Sequence, residues 1–231
     1  SLALSLTYIK YGESSIISKL FTKEKGLQSF IIKGIRKKKS KKSLNYFSPL
    51  KLLSINASYN PKKSLQYIGD VVIEKHIDYT EYNMKKKFLA CFIAEVGAKV
   101  LQENENNPHL FNFMWDTAIT LFESTEDNQN FALNYLISLS FFLGFGPSKK
   151  DSEKPFFNLE NGTFSEKKIS KETSLNEENS EYLRCLLNKK SIYIPQKSRS
   201  SLLKSLLKYY GLHHYNLNGI TSHLIIEELR K

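Results

Sequence analysis

The sequence predicts an α+β chain of two domains, a five-stranded β-barrel followed by a mostly α-helical domain. Three observations carry that prediction. Residues 2–74 hold five short runs in which apolar and polar residues alternate. Past Asp78 the apolar period lengthens to that of a helix. Gly, Pro and Asn punctuate both halves where turns and caps are needed. The expected boundaries are 1–78 for the barrel and 79–231 for the helical domain.

In the first part, Leu2 to Tyr11 alternates and ends at Tyr11-Gly12-Glu13-Ser14. Ser15 to Phe21 is a second strand, and Lys25-Gly26 a tight turn that a glycine at positive φ permits. Ser29 to Ile32 is the third. A fourth runs from Phe47 to Ser58 and breaks at Asn60-Pro61, and Leu65 to Ile73 is the fifth. Five short strands in so few residues suit a small closed barrel of the oligonucleotide-binding type. The opening Ser1-Leu2-Ala3-Leu4 reads as a strand entered partway, so residues ahead of Ser1 are expected.

In the second part, Phe88, Phe92, Val96 and Val100 fall four apart, with Leu89 and Ile93 beside them, as on a helix with a wide apolar stripe. Asn107-Pro108 opens another helix through Leu110, Phe111, Met114, Ala118, Leu121 and Phe122. A third spans about Asn130 to Leu143 and stops at Gly144-Phe145-Gly146-Pro147. Residues 148–180, rich in Ser, Lys, Glu and Asn, read as a long, partly disordered loop. Helices are expected again over Asn179–Asn188, Ser198–Tyr210 and Ile220–Leu229.

The chain has 231 residues, 41% hydrophobic and 13% aromatic, enough for real cores. Its formal net charge of +11 and pI near 9.4 favour an anionic partner. Nucleic acid fits better than membrane, because no stretch approaches the roughly 20 apolar residues of a spanning helix. Cys91 and Cys185 lie in apolar surroundings and read as buried thiols; neither belongs to a CxxC pair. That usage fits a cytoplasmic protein. His76, His109, His213, His214 and His223 show no HxxxH or HExxH pattern, and no nucleophile, base and orienter come together. The chain is therefore not expected to be an enzyme.

The densest charge lies between the third and fourth strands. In Lys33-Gly34-Ile35-Arg36-Lys37-Lys38-Lys39-Ser40-Lys41-Lys42, seven of ten residues are cationic and none is acidic. Packed like charges repel unless water or a polyanion surrounds them. Lys33, Arg36, Lys37, Lys38, Lys39, Lys41 and Lys42 are the leading candidates for phosphate contacts, and Arg36 for stacking on a base. A second set is Lys197, Arg199, Lys204 and Lys208. Lys197, Lys204 and Lys208 share one helix side by spacing, as a DNA track or a solvated face. Lys85, Lys86 and Lys87 cluster at a helix start, where the dipole disfavours cations; an acidic partner or solvent would compensate. Among the barrel aromatics, Phe30 and Phe47 alternate as core, whereas Tyr8 and Tyr67 suit either core or base stacking.

The residues also carry a resemblance. Tyr11-Gly12-Glu13-Ser14-Ser15 is followed by Leu20-Phe21-Thr22, then Lys33-Gly34-Ile35-Arg36-Lys37 with its basic run, then Phe47-Ser48-Pro49-Leu50. Near the end stand Leu206-Leu207-Lys208-Tyr209-Tyr210 and Leu212-His213. In this order and spacing the chain resembles the RecO family of bacterial recombination mediators over nearly its whole length. The resemblance implies an OB-fold followed by a helical domain, and binding and annealing of single- and double-stranded DNA. It implies two protein partners: RecR, with which the RecA recombinase is loaded, and the acidic, apolar-tipped tail of single-stranded-DNA-binding protein (SSB). Many relatives carry a Cys-rich zinc element after the third helix. Here the matching stretch, Pro147 to Ser165, has neither Cys nor His. No cofactor and no structural zinc are therefore expected, and Phe156, Phe157, Leu159 and Phe164 are expected to anchor the stretch by burial. An RNA-binding translation or processing factor on the same barrel is the alternative, since stacking and phosphate contacts serve RNA equally.

Overall fold

The computed structural model describes residues 1–37, 43–75, 84–124, 128–220 and 222. It falls into two compact units, one built on Ser1–Thr125 and one on Glu126–Gly219. The helix expected over 220–229 lies outside the described residues.

The first unit begins with five strands, β1 (Leu2–Tyr11), β2 (Ser15–Thr22), β3 (Gly26–Ile32), β4 (Leu52–Ser58) and β5 (Leu65–Ile73). They close into a barrel in the order β1-β2-β3-β5-β4, antiparallel except for the parallel β3–β5 pair. Alternation sends Ile16, Leu20, Phe30, Ile32, Leu53, Ile55 and Ile68 into one core. Gly26 sits at φ +65, as its turn requires, and an added Cβ would lie 2.0 Å from the Glu105 carbonyl oxygen. The fourth strand starts later than alternation suggests. Leu44–Phe47 is a 3₁₀ turn that drops Phe47 into the core, and Leu50 takes φ +57. With Pro49 beside it, that backbone cannot continue a ladder, so β4 opens at Leu52.

Among the described residues this unit also holds two helices, α1 (Met84–Val100) and α2 (Pro108–Glu123). The Asn107 side chain caps α2 by accepting from the Leu110 amide at 3.0 Å, with Pro108 in the first turn. Phe111 on α2 meets Phe21 of β2 at a ring separation of 5.5 Å. Gly97 lets α1 approach Leu6 and Met114 closely. By packing, α1 and α2 therefore group with the barrel.

The second unit centres on α3 (Phe131–Phe142), buried on most sides, with α5 (Gln196–Leu212) against it and α4 (Glu177–Leu187) packed on α5. The Tyr210 hydroxyl donates to the Leu136 carbonyl at 2.7 Å and ties α5 to α3. Residues 148–180 are not loop throughout. They contain a hairpin of two three-residue strands, β6 (Phe156–Asn158) and β7 (Thr163–Ser165), turning at Gly162 with φ +65. Phe157, Leu159 and Phe164 are buried, as expected, while Phe156 is half-exposed. Phe157 meets Phe164 at 5.0 Å and Tyr209 of α5 at 5.9 Å, and its amide donates to the Ser180 hydroxyl of α4. Strands this short carry too little periodicity to be read from sequence.

Cys91 and Cys185 are free thiols, each half-buried rather than fully buried. Burial, with Glu95 adding to it, pushes the Cys91 thiol up and makes it less reactive.

Candidate nucleic-acid interface

The basic run leaves the barrel directly after β3. Lys33, Arg36 and Lys37 are exposed, whereas Ile35 between them is buried in the barrel core. Gly34, at φ +69, makes the turn that permits this division. The stem is pinned to the β1–β2 turn: the Arg36 amide donates to the Ser14 carbonyl at 3.0 Å, and its guanidinium to the Gly12 carbonyl at 3.1 Å. The Lys33 ammonium stands 5.2 Å from the centre of the Tyr67 ring on β5, in cation–π range. Among the described residues, none of these three cations has an ion pair. Lys38, Lys39, Lys41 and Lys42 lie outside the described residues.

The second basic set divides. Lys197, Lys204 and Lys208 are exposed on one side of α5, in the phase their spacing predicts, and Lys208 donates to the Glu172 carbonyl at 2.9 Å. Arg199 does not join them. It is 9% exposed, and its guanidinium donates to the Ile194 carbonyl at 2.8 Å and to the Gln129 side chain. A cation so enclosed fastens the segment before α5 rather than facing solvent, so the expectation of a DNA contact from Arg199 gives way to a packing role.

The Lys85–Lys87 cluster also resolves in part. Lys86 reaches the carbonyls of Phe122 and Ser124 at the end of α2. The barrel tyrosines Tyr8, Tyr11, Tyr59 and Tyr67 are exposed, while Phe30 and Phe47 are core.

One feature of the second unit escaped the sequence. A cleft of about 840 Å³ is lined by Ile137, Phe141, Tyr193, Lys149, Lys189 and Lys190, among others. Its three lysines come from two distant segments, Lys149 from one and the adjacent Lys189 and Lys190 from the other, and are all exposed; Tyr193 stands 75% exposed at its edge. Nothing in the local sequence links Lys149 to Lys189.

No described helix is long and apolar enough to cross a membrane. Among the described residues, no group of three or more His, Cys, Asp or Glu is placed to hold a metal ion.

Comparison with known proteins agrees with the resemblance along both parts of the chain. The family described as Recombination protein O N terminal matches residues 2–76, and Recombination protein O C terminal matches residues 82–217. The DNA repair protein RecO of Flavobacterium psychrophilum is 30% identical over 235 residues, covering 99% of this chain and 96% of that protein. Those of Christiangramia forsetii and Flavobacterium johnsoniae are 29% and 28% identical, each over 91% of this chain and 90% of their own. With its N-terminal closed barrel and helical C-terminal part, the chain belongs to the RecO family of DNA repair proteins.

Proposed function

We propose that the protein is a non-catalytic recombination mediator that binds single- and double-stranded DNA, anneals complementary strands and, with RecR, helps load RecA onto SSB-coated DNA in the cytoplasm. The observation that carries this reading is the barrel rim, where Lys33, Arg36 and Lys37 point to solvent from a stem fixed by the buried Ile35. Cations held there neutralise the repulsion between two phosphate backbones, and base pairing supplies the specificity. Lys38, Lys39, Lys41 and Lys42 extend the same run, and Lys197, Lys204 and Lys208 on α5 form a second cationic track.

The cleft of the second unit suits the SSB tail. Ile137, Phe141 and Tyr193 offer an apolar seat for the tail's terminal side chain, and Lys149, Lys189 and Lys190 offer charge for its carboxylates. No observation favours the RNA-binding alternative, and competition between matched DNA and RNA strands separates the two.

The central test is annealing of complementary strands coated with SSB. The protein should accelerate it, and Lys33→Ala/Arg36→Ala/Lys37→Ala should slow it. The same variant should flatten the dependence of log K on log salt for single strands by about 2, at roughly 0.7 per lost phosphate contact. An unchanged slope and rate in that variant would remove the rim from the interface. A lack of acceleration by the parent protein would reject the mediator reading.

A further inference from the structure

The chain crosses between its two units twice. It leaves the first unit beyond α2 and returns to it at Ile220. The outgoing crossing starts from the end of α2, which is held by two Lys86 bonds and by an ion pair of Lys75 with Glu123 at 2.6 Å. The return runs over two exposed residues, Asn218 and Gly219. On either side of them Leu217 and Ile220 are buried. Gly219 takes φ +79, which suits glycine alone among common residues, and an added Cβ would meet nothing within 4 Å. An exposed glycine with open space around it, set between two buried anchors, is placed to act as a hinge.

Past the hinge the chain is fastened to α1. Ser222 is 3% exposed, and its hydroxyl donates to the Glu95 carboxylate at 2.7 Å. Glu95 stands away from the core side of α1. Leu89, Phe92, Ile93, Val96 and Val100 are buried on that core side. Phe88, Cys91, Glu95 and Ala98, spaced by three, four and three along the helix, share another side and are all half-buried. Lys87 and Lys99 flank this second side and are exposed. The shielding is therefore local to the stripe of four, and Ser222 lies against it.

We infer that the return segment is a releasable strap, which pivots at Asn218–Gly219, seats Ile220 and Ser222 in the first unit and shields the Phe88–Cys91–Glu95–Ala98 side of α1. While the strap is seated, two crossings tie the units together. When the Ser222–Glu95 bond opens, the strap swings away on its glycine and bares that side of α1. The first unit is then tied to the second only through the outgoing crossing. The bond suits a latch. Its acceptor is a carboxylate, so it is strong when formed, and both groups find water when it opens. The strap sets how independently the unit with the cationic rim and the unit with the cleft can move, whatever ligand each binds.

Two thiols report on this. Cys91 lies on the shielded side of α1, and Cys185, on α4 of the second unit, is the control. The experiment follows maleimide labelling of each thiol by peptide mass mapping in the parent, Ser222→Ala and Ile220→Ser/Ser222→Ala. Loss of a hydrogen bond to a carboxylate predicts about tenfold faster labelling of Cys91 in Ser222→Ala. It predicts a larger rise in the double variant and an unchanged rate at Cys185. Glu95 stays beside Cys91 in every variant and disfavours its thiolate, so a faster rate reads exposure rather than charge. Parent-like labelling of Cys91 in Ser222→Ala overturns the inference. An equal rise at Cys91 and Cys185 overturns it too, since that is general loosening of the fold. Thermal unfolding shows which variants are folded, and Ser222→Ala decides the matter alone if the double variant is not.

Discussion

The Lys86 ammonium, in the first turn of α1, donates at 3.1 Å to the Phe122 carbonyl in the last turn of α2. A second bond to Ser124 at 2.6 Å completes the cap. A cation at the start of a helix opposes that helix's own dipole. Here it serves the negative end of the neighbouring helix, whose last turn holds no basic residue of its own. Lys86→Met should lower the unfolding free energy by about 1 kcal/mol. Because the ammonium is spent on carbonyls, the substitution should leave the salt dependence of DNA binding as it was. Urea unfolding and a binding isotherm at several salt concentrations check both halves. A flattened salt slope with unchanged stability would return Lys86 to the DNA interface.

Arg199 and Lys197 lie two residues apart and should behave oppositely. Arg199 is enclosed, and its bonds to Ile194 and Gln129 hold the segment that leads into α5. Removing a charged donor from a buried carbonyl costs about 2 kcal/mol. Arg199→Ala should therefore show a lower denaturation midpoint, with the salt slope of DNA binding intact in the folded fraction. Lys197→Ala/Lys204→Ala should show the reverse if α5 is a DNA track, with a slope reduced by about 1 and little loss of stability. If that double variant leaves the slope unchanged, the α5 lysines are a solvated face.

The division between these residues shows what was legible in the sequence. Helical phase alone sets Lys197, Lys204 and Lys208 on one side and Arg199 on another, because 3.6 residues per turn leaves little freedom. The barrel strands were legible for the same reason, at period two, down to Phe30 as core, whereas Phe47 reaches the core from a 3₁₀ turn. What could not be read depends on chain segments far apart. The parallel β3–β5 pairing, which brings Tyr67 beside Ile31, leaves no local signature. The cleft needs Lys149, Lys189 and Tyr193 together, and each is unremarked in its own stretch. Alternation also continued through Phe47–Pro49, where the positive φ at Leu50 turns the chain instead.

The hairpin should stand without metal. Gly162 sits at φ +65, and a Cβ there would come within 2.7 Å of the Tyr209 hydroxyl. That hydroxyl donates to the Phe145 carbonyl, so it has little room to retreat. Gly162→Ala should cost about 2 kcal/mol from backbone strain and crowding. Phe157→Ala, at a fully buried ring, should cost about 3–5 kcal/mol. A chelator should leave the melting temperature of the parent protein unchanged. A fall in melting temperature on chelation, recovered by added zinc, would show that packing does not hold the hairpin alone.

Lys51 gives the barrel a distinct pH dependence. Its backbone is fixed to Ser5 by bonds at 3.0 Å and 2.9 Å, between Leu50 and Leu52, which are fully buried. Burial pushes its ammonium down from 10.5 to about 8. Below pH 8 the folded and unfolded chains both hold the proton, and the folded state bears the full cost of enclosing the charge. Between pH 8 and 10.5 the unfolded chain still binds a proton that the folded chain has released, so this residue's contribution to stability rises with pH. Lys51→Met should therefore gain most over the parent near pH 7, and its advantage should shrink steadily toward pH 10. Urea unfolding of both proteins across that range reads the difference directly. Parallel stability curves from pH 7 to pH 10 would mean that the folded protein holds Lys51 with an ordinary proton affinity.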